Sequence, residues 1–208
     1  MGTDKVWLAV GGLTMLDRAL QLLKEISPAP RIVVAKSNAS HPDLAAYAPI
    51  VQDLQTGCGP LSGIEAGLLA SHSDLSIFIP VDLPLLPARF LKILIERSAH
   101  TGAVATIARV LGQVQPLCAV YHRALLPAIT NSLAAGDYKV MRVVHQAAAL
   151  LSERIDIFNL ETVTTAGATF DGWPIPASRA FLNCNSPADV SRIEFYSWLH
   201  PNASEQAT

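Results

Sequence analysis

The residues most suited to chemistry begin with a single carboxylate. An apolar run, Ile77-Phe78-Ile79-Pro80-Val81, breaks off at Asp82, and Leu83-Pro84 follows. The run reads as a buried strand that presents one acid at its C-terminal end, the edge where open parallel α/β sheets bind ligands. An acid at that edge is well suited to hold Mg²⁺ against a phosphate. The plainer reading is that Asp82 caps the turn ahead of a helix starting near Pro87.

A second acid, Asp53, is followed by Gly57-Cys58-Gly59-Pro60-Leu61-Ser62-Gly63. A strand ending in an acid, a glycine-rich loop and a helix start place free backbone N–H groups and a positive dipole end where a phosphate or a polar ligand edge can bind. An ordinary Gly-Pro helix start would look the same. The loop misses the Rossmann pattern, because Ser62 stands three beyond Gly59. There is no P-loop and no nucleophile elbow. Lys5 could neutralise charge developing on a transferring phosphoryl group, although a lysine near a terminus is usually just solvated. Asn183-Cys184-Asn185-Ser186-Pro187 follows a short apolar stretch. Its amides could orient phosphate oxygens or metal-bound water, or simply serve turn and cap chemistry. Gln115, at the entry of a strand, and Lys139, after a helix stop, could meet an anionic second substrate, or be structural.

Composition narrows the classes. Half of the 208 residues are apolar and 15% are charged, which suits a sheet covered on both faces. A net charge of −2 leaves no basic footprint for nucleic acid. No stretch approaches a membrane span, and no apolar signal core follows Met1, so the cytoplasm is the expected compartment. Cys58, Cys118 and Cys184 are odd in number and far apart, and the six histidines are scattered. Neither a zinc site nor a disulfide framework is supported.

Strand-like and helix-period segments alternate. Thr14 and Asp17 have capping-box spacing ahead of an apolar stripe through Leu16, Leu20 and Leu23. Strands are expected at 31–35, 49–53, 77–81, 103–110, 116–121, 154–158 and 181–182. Helices are expected at 59–71, with Pro60 in the first turn, at 87–100, 123–135 and 140–150, and after the Ser186-Pro187 start. The expectation is one α/β domain over 1–200, a three-layer αβα architecture around a mostly parallel sheet, with a polar tail at 201–208.

Taken in order, Met1-Gly2-Thr3-Asp4-Lys5, Asp53 with Gly59-Pro60-Leu61-Ser62-Gly63, Val81-Asp82-Leu83-Pro84, Gln115-Pro116-Leu117 and Leu182-Asn183-Cys184-Asn185-Ser186-Pro187 resemble the molybdenum cofactor guanylyltransferases. The Gly-Pro-Leu-Ser-Gly form favours the guanylyl over the cytidylyl branch. The resemblance implies a nucleotide-diphospho-sugar-transferase-like fold and transfer of GMP from GTP to the terminal phosphate of the molybdenum-molybdopterin cofactor, with release of pyrophosphate. It implies Lys5 and Asp82 as catalytic residues. Lys5, Asp53, Gly59, Pro60, Leu61 and Asp82 would bind the nucleotide, and Asp82 would ligate Mg²⁺. Gln115, Lys139, Asn183 and Asn185 are candidates for the substrate side. Partners would be GTP, the molybdopterin cofactor, and cofactor-delivery proteins or molybdoenzymes. A cytidylyl or sugar-phosphate nucleotidyltransferase and a truncated non-catalytic remnant are the alternatives.

One departure stands out. The family begins with a hydrophobic strand and a Leu-Ala-Gly-Gly-x-Ser-x-Arg loop ahead of Met-Gly-x-Asp-Lys, and this chain starts at that Met. The expectation is an internal start, with the first strand missing and unpaired backbone on its neighbours near Val33 and Ile79.

Overall fold

The computed structural model describes residues 5–27, 29–34, 42–55, 57–161 and 177–198. A small hairpin comes first, strands β1 (Ala9–Val10) and β2 (Leu13–Thr14), paired antiparallel. Gly11 and Gly12 both have positive φ, as a two-residue hairpin turn of this hand requires. Helix α1 (Met15–Lys24) starts on the expected capping box. The Asp17 N–H donates to Thr14 Oγ1 at 3.0 Å, and the Asp17 carboxylate accepts from the Thr14 N–H at 3.3 Å.

Strands β3 (Ile32–Val34) and β4 (Ile50–Gln52) pair in parallel. Helix α2 (Pro60–Ala70) follows, with Gly59 at its N-cap in a positive-φ conformation that favours glycine. Strand β5 (Leu75–Phe78), helix α3 (Ala88–Thr101), strands β6 (Ala105–Val110) and β7 (Gln113–His122), helices α4 (Leu126–Ala134) and α5 (Val140–Leu150), and strand β8 (Ile155–Asn159) come next. A single helical turn, α6 (Ala177–Ala180), precedes helix α7 (Pro187–Trp198).

A four-stranded sheet has the order β5-β7-β6-β8. β7 is antiparallel to both β5 and β6, whereas β8 runs parallel to β6. Three of its strands therefore share one direction and β7 alone is reversed, so the sheet is mostly parallel with one inverted member. Helices cover both faces, in three layers. On one face, Leu61, Ile64 and Leu68 of α2, Ile129 and Leu133 of α4, and Val143, Val144 and Ala147 of α5 pack on Ala105, Ile107, Ala119 and Tyr121. On the other, Phe90, Leu91 and Leu94 of α3 pack on Ala108, Val110, Cys118, Val120 and Phe158. The period-2 alternation of β6 and β7 divides their side chains between the two layers. Each fully buried aliphatic side chain there contributes roughly 1.5–3 kcal/mol.

Three expected elements are corrected. The strand expected at 77–81 is instead β5, which ends at Phe78. Pro80 carries no N–H to continue a ladder, and Asp82 lies in the turn that follows rather than on the strand end. That run is also half-buried, not buried. The strand expected at 181–182 is absent: Phe181 and Leu182 leave α6 in a turn, the Leu182 N–H donating to the Arg179 carbonyl at 3.1 Å. Gln115 is the third of ten residues in β7, opposite Ala108, and so lies inside the strand rather than at its entry. The 201–208 tail is outside the described residues.

β3 and β5 do not pair with each other. Between them, beneath α1 and α2, lies a cavity of about 720 Å³ whose walls include Leu16, Leu20, Val33, Gly63, Ile77 and Ile79.

Candidate active site

The strongest convergence joins three residues far apart in the chain. The Lys5 ammonium donates to Asp82 Oδ2 at 2.7 Å and lies 3.4 Å from Asn185 Oδ1. Lys5 is placed by the first single-turn helix, residues Lys5–Trp7, whose Val6 and Trp7 pack on the Leu16–Leu20 cluster of α1. Asp82 is placed by the turn between β5 and α3. Its backbone carbonyl accepts from the Cys184 N–H at 2.9 Å, which fastens the segment before α7 against that turn. The Lys5 side chain is 44% exposed and that of Asp82 17%, so the pair faces solvent at one end.

The start of α7 orients Asn185. Ser186 caps the helix, its Oγ accepting from the Asp189 N–H at 3.3 Å and donating to Asp189 Oδ2 at 2.8 Å. The Asn185 N–H donates to the same carboxylate at 3.1 Å. The Ser186 hydrogen bond, then that of the Asn185 N–H, holds the Asp189 carboxyl below its usual range. The Cys184 thiol is pushed up by burial, with the charges of Asp189 and Asp82 adding to the shift. Asn183 is exposed.

The second group sits where β4 meets α2. Asp53 is buried, and Ser62 Oγ lies 2.9 Å from both Asp53 Oδ2 and the Gly59 carbonyl. Ser62, which breaks the dinucleotide pattern, thus anchors the acid to the glycine loop. Asp53, Gly59 and Pro60 border the cavity between β3 and β5. The Leu61 side chain is wholly buried in the core, so its contribution to a ligand would come from its backbone.

Lys139 caps α5, its N–H donating to Asp137 Oδ1 at 3.1 Å. Asp137 also accepts from Arg142 Nε at 2.6 Å, and this guanidinium holds the Asp137 carboxyl below its usual range. Tyr138, in the same turn, lies beside Cys58 of the glycine loop, and this neighbour pushes the phenol up. The sequence names Ser62 only as a break in the dinucleotide pattern and a member of the glycine motif, and gives neither Ser62 nor Tyr138 a role of its own. The signal for Ser62 was its place one turn inside a helix that follows an acid-ended strand. Nothing local marks Tyr138. The described contacts do not bring Gln115, Lys139 or Asn183 to the Lys5–Asp82 pair.

Among the described residues no three His, Cys, Asp or Glu side chains cluster as metal ligands, and no helix is long and apolar enough to cross a membrane. The arrangement offers one ammonium against one carboxylate in the turn after β5, and a second acid anchored to a glycine loop where β4 meets α2. The family model of the MobA-like NTP transferase domain matches residues 1–150.

The chain belongs to the MobA-like NTP transferase family.

This membership makes it a nucleotidyltransferase. It is 29% identical over 197 residues to the molybdenum cofactor guanylyltransferase of Cereibacter sphaeroides, covering 93% of this chain and 88% of that one. The crystal structure of molybdopterin-guanine dinucleotide biosynthesis protein A from Archaeoglobus fulgidus matches with a TM-score of 0.72 at 21% identity, covering 95% of this chain and 92% of the other. The 2-C-methyl-D-erythritol 4-phosphate cytidylyltransferase of Thermus thermophilus matches with a TM-score of 0.61 at 16% identity, over 95% of this chain and all of the other. These structures share the fold expected from the sequence.

Proposed function

We propose that this nucleotidyltransferase transfers GMP from GTP to the terminal phosphate of the molybdenum-molybdopterin cofactor. The observation that carries the reading is the meeting of Lys5, Asp82 and Asn185, each from a motif of the guanylyltransferase pattern, within hydrogen-bond distance at the Lys5 ammonium. A phosphate oxygen of molybdopterin attacks the α-phosphorus of GTP, the bond to the β-phosphate oxygen breaks, and pyrophosphate leaves with its electron pair. Both substrates are anions. Lys5 offsets their repulsion and the charge gathering on the leaving group, and Asn185 holds the ammonium in place. Catalysis of this type is mostly positioning and electrostatics, so no nucleophilic side chain is required.

The donor set fits Mg²⁺. This ion commonly binds through one or two carboxylates plus substrate phosphates and keeps several waters, and Asp82 supplies one carboxylate of which Lys5 engages only Oδ2. When bound there, the ion would neutralise phosphate charge. Asp53, Gly59 and Pro60 are assigned to the nucleotide, the buried acid and its Ser62 anchor fixing the loop. Gln115, Lys139 and Asn183 are assigned to the pterin side on sequence grounds alone. The test is incubation with molybdenum-molybdopterin, Mg²⁺ and either GTP or CTP. Pyrophosphate and the guanine dinucleotide should form with GTP. Preference for CTP, or for a sugar phosphate as acceptor, would replace this reading, and absence of product with either nucleotide would end it.

A further inference from the structure

Pro116 stands in β7, the strand that lies between β5 and β6. Proline brings no N–H to a ladder, so within a sheet it is confined to edges, strand starts and bulges. Here it sits in a bulge. The ladder with β5 ends at the Phe78–Ala119 pair. The ladder with β6 passes from Ile107–Ala119 directly to Ala108–Gln115. One step on β6 thus spans four on β7, and residues 116–118 pair in neither ladder. A buried phenol fastens the bulge. The Tyr121 hydroxyl donates to the Pro116 carbonyl at 2.7 Å. Burial pushes this phenol up, so the proton stays on its oxygen and is donated. Phe78 meets the Tyr121 ring edge-on, with 5.8 Å between centroids, and limits where the ring can point.

Three extra residues change the face on which the next side chain stands. An odd insertion moves a strand's side chains to the other side of the sheet. By plain alternation Gln115 would share the face of Ala119 and Tyr121, which α2, α4 and α5 cover. The bulge sets it opposite Ala108 instead. Ala108 packs with Phe90, Leu91 and Leu94 of α3. Leu83 and Leu86, from the turn that carries Asp82, join that same cluster. The glycine loop lies across the sheet, where its Cys58 packs with Leu61 and Ile64 of α2.

We propose that Tyr121 is a positioning residue whose hydroxyl holds the bulge that places Gln115 on the acceptor's side of the sheet, the side of the Asp82 turn, rather than on the side of the nucleotide loop. The inference rests on the nucleotidyl-transfer reading above. On that face the Gln115 amide can donate an N–H to a phosphate oxygen of the acceptor. Being neutral, it does so without competing with Lys5 for the Asp82 carboxylate.

The test is steady-state pyrophosphate release by the full chain with Mg²⁺, GTP and molybdenum-molybdopterin, each substrate varied in turn. Tyr121→Phe keeps the ring and removes the hydroxyl. It should raise KM for the acceptor at least about tenfold, the loss of one hydrogen bond to a charged group, and leave KM for GTP within about twofold. Gln115→Ala should do the same. Gln115→Glu should raise the acceptor KM further, because it sets a carboxylate against the phosphate. In the Gln115→Ala background, Tyr121→Phe should add less than about twofold, since it acts through Gln115. Ile129→Val, a truncation in the same core cluster as Tyr121, controls for lost stability and should leave both KM values unchanged. An acceptor KM within about twofold of wild type in Tyr121→Phe, equal rises for both substrates, full multiplication of the two losses in the double variant, or the same rise in Ile129→Val would overturn the proposal and leave the nucleotide reading standing. A wild type that releases no pyrophosphate from GTP would end both.

Discussion

Replacing Asp82 by Asn separates a catalytic carboxylate from a turn cap. The Asn side chain keeps an oxygen for the Lys5 ammonium, now 2.7 Å from Asp82 Oδ2, and removes only the charge. With Lys5 44% exposed, the ion pair adds no more than about 0–1 kcal/mol to stability. For a domain of this size that is a fall of at most about 4 °C in Tm. The Cys184 N–H bonds the Asp82 backbone carbonyl, which the substitution leaves in place. Transition-state stabilisation is a different matter. Losing one preorganised electrostatic contact in a phosphoryl or acyl transfer site costs roughly 10²–10³ in rate, about 2.7–4 kcal/mol. Asp82→Asn should therefore unfold almost with the wild type yet release pyrophosphate from GTP at least about a hundredfold more slowly. Lys5→Met should show the same split. The double variant should lose less than the product of the two, because both act on the same phosphates. Calorimetry and a coupled pyrophosphate assay measure the two quantities. Activity within about threefold of wild type, or loss of stability by more than about 2 kcal/mol in step with activity, would refute the reasoning.

Three further outcomes follow from the geometry. Ser62→Ala removes the hydroxyl beside the buried Asp53 and should cost about 1.5–3 kcal/mol in urea unfolding, with weaker GTP binding; a loss under about 0.5 kcal/mol would mean that the acid does not lean on Ser62. Tyr138→Phe removes an exposed phenol beside Cys58 of the glycine loop. Stability should change by less than about 0.5 kcal/mol, and KM for GTP should rise while kcat holds, unless the turn does not steady the glycine loop. Burial pushes the Cys118 thiol well up, so it stays protonated in the folded chain while the unfolded thiol ionises near pH 8.5. A raised folded value means the stabilisation is complete below that pH and is lost as pH rises above it. Between pH 9 and 10 this thiol should contribute a slope of about 1.4 kcal/mol per pH unit, and Cys118→Ala should remove that increment from urea titrations.

Local signals carried much of the fold. The Thr14 capping box, the Gly59-Pro60 start of α2, the bounds of α5 and the Ser186-Pro187 start of α7 lie where the sequence indicates. Caps, N1 prolines and apolar stripes act within a turn or two of themselves, so neighbouring residues suffice to read them. The same reading ran β5 on through Pro80 and made a strand of Phe181 and Leu182, because apolar runs do not say where a ladder partner stops.

The candidate site divides along the same line. Its members could be named as candidates from their motifs taken in order, although each alone also reads as a cap or an ordinary helix start. Their meeting could not. Lys5 lies 77 residues from Asp82 and 180 from Asn185, and no periodicity reports on separations of that size. The Cys184-to-Asp82 backbone bond and the packing of Val6 and Trp7 on α1 bring the three together. The face on which Gln115 stands is likewise tertiary. The order of residues says that a strand alternates its side chains and that Pro116 interrupts a ladder, but only pairing with β6 decides how many residues the bulge takes up, and so which side of the sheet Gln115 is left on.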